Sequence, residues 1–232
     1  LTTHRYGDHP DQFSELWGET GATAVLIHGG FWRARYGLDL MRPMADDLAA
    51  RGWAAWNVEY RRVGTGGGYP ETLDDVATAC RAAAALGLDP LIAVGHSAGG
   101  HLALWLAGEG LVDAAISLAG VASLVQASSA RLGNGAADDF MRGSADGWAA
   151  ADPLQRLPTG RPTVLVHGAH DEDVPIEQSR MYAEAARAAG DDCELVEFPG
   201  GHFSVIEPAS RIWPTVVERL EALRDDRRPF GR

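Results

Sequence analysis

From about residue 22 onward, short apolar runs alternate with segments of helical periodicity, and no other feature narrows the fold as much. Thr23-Ala24-Val25-Leu26-Ile27 is an apolar run closed by Gly29-Gly30 and reads as a buried strand. Trp53 to Tyr60, Leu91 to Val94, Ala114 to Leu118, Thr163 to Val166 and Glu194 to Phe198 read as five more. Between them, residues 38–50 carry Leu38, Met41, Met44 and Leu48 at helical spacing, with Gly52 as a stop. Pro70 to Leu86 is Ala-rich with Pro and Glu at its front, a helix-start signal. Further helices are expected through Leu102 to Leu106, from about Pro175 to Ala189 and from about Ile206 to Leu223. Strands separated by helices require right-handed crossovers, so the reading is a single α/β domain over 1–232. Its central sheet is mostly parallel, with helices on both faces. The first 21 residues leave room for one or two antiparallel edge strands. Residues 121–160 break the alternation with Ser, Gly, Ala and Asp around Leu124, Val125, Leu132, Phe140, Met141 and Trp148. That is too long for an ordinary connection and too short for a second core, so it reads as a lid-like insertion of short helices.

Composition removes several chemistries. Lys+Arg is 20 against Asp+Glu 32, a net charge of −12, and every basic residue is Arg. A chain without lysine has no P-loop lysine, no Schiff-base lysine and no Ser-Lys dyad. The acidic balance argues against a nucleic-acid partner. Gly64-Thr65-Gly66-Gly67-Gly68 fails the dinucleotide fingerprint because Tyr69 stands where the last Gly belongs. Cys80 and Cys193 form no short-spaced motif and read as buried thiols, although a single bridge stays open. No apolar run approaches the length of a membrane span. The start at Leu1 lacks both an initiator Met and a signal-like n-region, which is compatible with a trimmed leader; a cytoplasmic protein is expected. A homodimer is compatible with the chain, and nothing in it sets the oligomeric state.

The chemistry concentrates at Gly95-His96-Ser97-Ala98-Gly99, a G-x-S-x-G motif between an apolar strand and an apolar helix. A strand that turns sharply into a helix holds its central residue in a strained conformation and lifts its side chain above the sheet edge. There the helix N-terminus favours developing negative charge. A serine nucleophile needs a base and an orienting acid, expected in the order Ser, acid, His on loops after strands. After the fifth strand, His167-Gly168-Ala169-His170-Asp171-Glu172-Asp173-Val174-Pro175 offers Asp171, nearest the strand end, with Asp173 in reserve. After the sixth, Pro199-Gly200-Gly201-His202 offers His202 as base. His167, His170 and Asp171 hint at a metal site that no further His cluster completes, so no metal and no cofactor are expected. Oxyanion donors are expected from Gly29 and Gly30 after the first strand and from Ala98 after the nucleophile. His28 is expected to brace that loop by hydrogen bonding.

On these motifs the chain resembles the α/β-hydrolase superfamily over essentially its whole length. The stretch His28-Gly29-Gly30-Phe31-Trp32 is similar to the His-Gly-Gly-x-Trp of the esterase and arylformamidase group, with Phe31 where the hormone-sensitive-lipase branch usually has a third Gly. The resemblance implies an α/β-hydrolase fold, with Ser97, Asp171 and His202 as nucleophile, acid and base. It also implies an oxyanion hole from the Gly29-Gly30 region and Ala98. Only about 20 residues precede the first strong strand, so the N-terminal cap helices of hormone-sensitive-lipase relatives are not expected, and 121–160 would be the remaining cover. Phe31 and Trp32 are expected to line the substrate side, with Phe140, Met141 and Trp148 making the pocket apolar. Three readings follow: a serine carboxylesterase for small or aryl esters, an arylformamidase of the N-formylkynurenine type, or a non-catalytic binding protein on a hydrolase fold. The partner is then a small ester or amide. Its charge preference is open, since the net −12 disfavours anions while Arg33, Arg35 or Arg61 near the glycine loops could reverse that locally.

Overall fold

Each of the six apolar runs becomes a strand, and the N-terminal segment supplies two more. The computed structural model describes residues 1–144 and 146–225. Its strands are β1 (Thr2–Arg5), β2 (Phe13–Trp17), β3 (Thr23–Ile27), β4 (Ala54–Val58), β5 (Leu91–His96), β6 (Ala114–Leu118), β7 (Thr163–Gly168) and β8 (Cys193–Phe198). Among the described residues they form one sheet in the order β1-β2-β4-β3-β5-β6-β7-β8. The pairs β1/β2 and β2/β4 are antiparallel, and all pairs from β4 to β8 are parallel. Side chains alternate across a strand, so Val25, Ile27, Trp56 and Val58 enter one core while Ala24, Leu26, Ala55, Ile92 and Val94 enter the other. Both faces are therefore covered, as parallel strands require.

The first face carries α2 (Glu71–Ala85) and α3 (Ala98–Gly108). Glu71 and Asp74 sit in the first turn of α2, where the helix dipole favours acids. Helix α3 is buried from Ala98 to Ala107, which explains why its sequence is apolar all round. The second face carries α1 (Arg42–Ala50) and α8 (Trp213–Asp225). A 3-10 turn at Leu38–Met41 leads into α1, and Pro43 lies in its first turn. Helix α8 starts later than its periodicity predicts. Glu207 precedes Pro208 and is held extended at φ −97° and ψ 111°, so a helix cannot run through it.

The insertion forms α4 (Leu124–Ser129), α5 (Leu132–Met141) and α6 (Trp148–Ala151), and α7 (Glu177–Ala188) follows β7. It packs differently from a detachable lid. Leu124, Ala127, Ala136, Ala137, Phe140, Met141 and Ala151 belong to the same buried cluster as β3, β4, α2 and α3. Asp152, fully buried, ties its two ends: it accepts from Ser123 Oγ at 3.0 Å, Val125 N at 3.2 Å and Leu154 N at 3.1 Å. Among the described residues no helix is long and apolar enough to cross a membrane. Cys80 and Cys193 are free and buried.

Strand order decides where a site can form. After β3 the chain adds β4 on one side, and β5 then pairs on the other side of β3. The loops after β3 and β5 thus leave the carboxyl edge in opposite directions and open a crevice between them, the usual ligand position in open α/β sheets.

Candidate active site

Strand β5 and helix α3 meet at Ser97 with no intervening loop. Ser97 has φ 57° and ψ −117°, a left-handed conformation that costs a non-glycine residue about 1–3 kcal/mol. The surroundings enforce it. A Cβ at Gly95 would collide with the backbone of Gly99, and one at Gly99 would collide with the carbonyls of Ile27 and His28. The motif's glycines are thus required by close approach of three backbones. The Ser97 N–H bonds Leu118 O at 2.9 Å, pinning the turn to β6. In α3 the first helical-type bonds run from the N–H groups of Gly100 and His101 to Ser97 O, so the N–H of Ala98 lies ahead of them.

The loops after β7 and β8 bring Asp171 to His202. His202 Nδ1 donates to Asp171 Oδ2 at 2.7 Å, with the Asp171 side chain fully buried. Asp171 Oδ1 accepts from the N–H groups of Asp173 at 2.9 Å and Val174 at 2.8 Å. His167 Nε2, 3.3 Å from Asp171 Oδ2, approaches from behind and also donates to Val174 O at 2.9 Å. Burial by itself would raise the Asp171 pKa; the hydrogen bonds from His167, His202 and Val174 N–H outweigh it and hold the carboxyl far below the usual range. Asp171 therefore stays ionised and holds His202 through Nδ1, and among the described residues Nε2 makes no hydrogen bond. Asp173, the reserve candidate, is exposed and lines the cavity instead.

His96 links the two halves of the site. Its Nε2–H donates to His202 O at 3.0 Å, its ring lies 4.6 Å from the His202 ring, and its Nδ1 is buried without a partner. Burial, aided by neighbouring His202, pushes its pKa down to about 3, so it is a neutral strut. Nothing in the motif formula assigns a role to this middle position, and the contact spans 106 residues.

The loop after β3 supplies the facing wall. His28, buried, braces it: Nε2 meets Glu59 Oε1 at 3.0 Å, the ring stacks on Tyr60, and His28 O accepts from Tyr60 Oη at 2.8 Å. Phe31 and Trp32 have φ 52° and 55°, so the loop is strained at consecutive non-glycine residues. Gly29 packs directly on His96 and Ser97, and Gly30 lines the cavity.

The cavity has a volume of about 200 Å³ and takes its walls from Phe31, Tyr36, Leu40, Phe203, Arg33 and Arg35, around Ser97 and His202. Trp32 is a correction to the sequence reading: among the described residues it does not line this cavity. It is 1% exposed, donates from Nε1 to His101 Nδ1 at 3.2 Å and stacks on Phe140, so it anchors the loop in the core. Phe140 and Met141 are likewise fully buried, and no residue of 121–160 lines this cavity among the described residues. The insertion folds down onto α3, and the walls come from residues 30–40 instead. Tyr36, Leu40 and Phe203 had no signal in the sequence beyond their apolar character. Asp171, Asp173 and His202 also place donor atoms within 4.8 Å of one another, as a metal site would need. Two of those atoms already share the 2.7 Å hydrogen bond, which suits an acid–base pair.

Comparison with known proteins places this geometry. Residues 50–220 match the prolyl oligopeptidase family. The chain belongs to that family. As a prolyl oligopeptidase family member it shares its α/β-hydrolase fold with solved esterases. Esterase 2 of the planctomycete Thermogutta terrifontis, bound to propionate, is 26% identical with TM-score 0.74, covering 95% of this chain and 91% of that one. The same esterase phosphoramylated by tabun is 25% identical with TM-score 0.75 over the same shares. Esterase B of Lactobacillus rhamnosis superposes with TM-score 0.82 at 22% identity, covering 96% of this chain and 86% of that one, a likeness of fold. In sequence, Esterase LipC of Mycobacterium tuberculosis is 31% identical over 252 residues, 90% of this chain. The chain spans 61% of the length of that relative.

Proposed function

We propose that this member of the prolyl oligopeptidase family is a serine carboxylesterase for small or aryl esters. The observation that carries the reading is the 2.7 Å His202–Asp171 hydrogen bond beside a cavity that Ser97 and His202 both line, with Ser97 on a strained strand–helix turn. Ser97 Oγ attacks the ester carbonyl while His202 Nε2 takes its proton; Asp171 holds the imidazole and stabilises its charged form. Backbone N–H groups of the Gly29–Gly30 segment and of Ala98 hold the tetrahedral oxyanion. His202 returns the proton to the leaving alkoxide, and water repeats the sequence on the acyl-Ser97 to release the acid. No step calls for a metal or cofactor.

Cavity size supports small substrates, since about 200 Å³ is below the usual range for drug-sized ligands. The propionate-bound and tabun-modified forms of the Thermogutta esterase support a short acyl group and an organophosphate-reactive centre here. The test is a kinetic series on p-nitrophenyl acetate, longer p-nitrophenyl esters and N-formylkynurenine. The expected result is highest kcat/KM on acetate or butyrate with a decline for long chains. A formamide kcat/KM above every ester would replace this reading with arylformamidase activity. Absence of turnover and of organophosphate labelling would leave a binding protein.

A further inference from the structure

The proposed mechanism uses Ser97, His202, Asp171 and backbone donors, and leaves the cations of the cavity wall without a role. Of Arg33, Arg35 and Arg61, which the sequence offers beside the glycine loops, two are engaged. Arg33 meets Asp139 at 2.6 Å and Gly133 O at 2.6 Å. Arg61 is held by Asp75 at 2.7 Å and does not line the cavity. Arg35 differs. It lines the cavity, is exposed, and among the described residues has neither an acid nor a hydrogen-bond partner. Its contact is the Tyr36 ring, whose centroid lies 5.4 Å from Arg35 Cζ.

That contact orients a donor group. Tyr36 is held in turn, because Arg62 Nη1 donates to its carbonyl and its side chain packs over Gly30. A guanidinium resting on an aromatic face keeps its in-plane N–H donors free, and that fork matches a carboxylate. The other walls, Phe31, Tyr36, Leu40 and Phe203, are apolar and suit the body of a small ester. Negative charge on the cavity wall lies on the loop after β7, where Asp173 stands beside His202. The unpaired positive charge sits on the loop after β3. A substrate with one anionic end is thereby given a direction, with its carboxylate on Arg35 and its neutral ester at Ser97. The net charge of −12 repels anions at long range, so recognition of one needs such a local cation.

We infer that Arg35 is a carboxylate-recognition residue and that the substrates of this site are small esters carrying a carboxylate. This rests on the esterase reading above. Two matched pairs test it: p-nitrophenyl hemisuccinate against p-nitrophenyl butyrate, and 4-acetoxybenzoate against its methyl ester. The first places the carboxylate on the acyl side, the second on the leaving side. Wild type should favour the charged member of one pair. Arg35→Ala should lower the charged-to-neutral ratio of kcat/KM about tenfold, mostly through KM, and Arg35→Glu should invert the preference. An unchanged ratio in both pairs overturns the inference while hydrolysis of the neutral esters keeps the esterase reading. A calorimetric titration with benzoate reads the contact without turnover. Weaker binding in Ser97→Ala/Arg35→Ala than in Ser97→Ala supports the anion contact even if no ester is hydrolysed, and equal binding sinks it.

Discussion

Ser97 carries both the strain and the proposed nucleophile, and its neighbours show what that strain is held by: glycines that let backbones touch and an N–H pinned to β6. Ser97→Ala keeps this backbone, so it should remove at least about 10³-fold of esterase turnover and all organophosphate labelling while leaving the melting temperature within a few degrees. Labelling at another residue with turnover retained would refute the assignment. For the acid, the geometry distinguishes two neighbours that the sequence leaves adjacent. Asp171 is bonded to His202, whereas Asp173 lends its N–H to Asp171 and turns its carboxylate to the cavity. Asp171→Asn should therefore lower kcat by about 10²–10⁴-fold, and Asp173→Asn by less than tenfold, in the same p-nitrophenyl acetate assay. The residue before the proposed nucleophile is a third case. His96 holds the His202 carbonyl, so its influence reaches the proposed base through the backbone of His202's own loop.

The elements most legible in sequence are those whose environment is uniform. Runs such as Leu91–Val94 are buried on both faces of a parallel sheet and can be nothing but apolar, and α3 is apolar all round for the same reason. The insertion is less legible because its apolar residues have no long periodicity, and its packing depends on which helix lies beneath it. Residues 131–135 show why: Arg131, Gly133, Asn134 and Gly135 all have positive φ, an irregular turn that lays Gly133 against the Phe31 ring. This links the insertion to the loop after β3, together with Arg33 and Asp139. Phe140, 0% exposed and stacked on Trp32, is part of the core rather than of a flap. Phe140→Ala should cost about 3–5 kcal/mol in urea unfolding, the range for a large buried aromatic. A loss below about 1 kcal/mol would restore the segment as a separable lid.

Across the whole molecule, five of the eight histidines are buried: His28, His96, His101, His167 and His202. In two of them burial is the main influence on the ring's protonation. Burial pushes His96 down to about 3 and His101 down to about 4, each from 6.5. Both are neutral in the folded protein and take up a proton when it unfolds. Below pH 6.5 the unfolded chain therefore binds more protons, and stability falls as pH drops toward the folded values. Each group contributes a slope of up to about 1.4 kcal/mol per pH unit in that window. Asp171 adds to the loss below about pH 4, because its carboxyl is held low only in the folded state. Urea midpoints measured from pH 7.5 to 4.5 should decline below 6.5, and His96→Gln should make that decline shallower. A flat profile would mean that these rings are solvated.

Local pattern sets the alternation of strands and helices, the serine elbow and the chain order of the proposed Ser, acid and His. These are local requirements: two-sided burial dictates apolar runs, and a strand that turns at once into a helix needs glycine where backbones touch. Tertiary structure alone decided which carboxylate meets His202, that Trp32 and Phe140 serve the core, and that residues 30–40 wall the cavity. Those outcomes rest on contacts across long stretches of chain, such as Trp32 to His101 over 69 residues and Arg33 to Asp139 over 106. No local pattern encodes them. The strand order brings the loops after β3, β5, β7 and β8 to one edge of the sheet, and there Arg35, without an acid partner among the described residues, comes to face the proposed nucleophile's cavity.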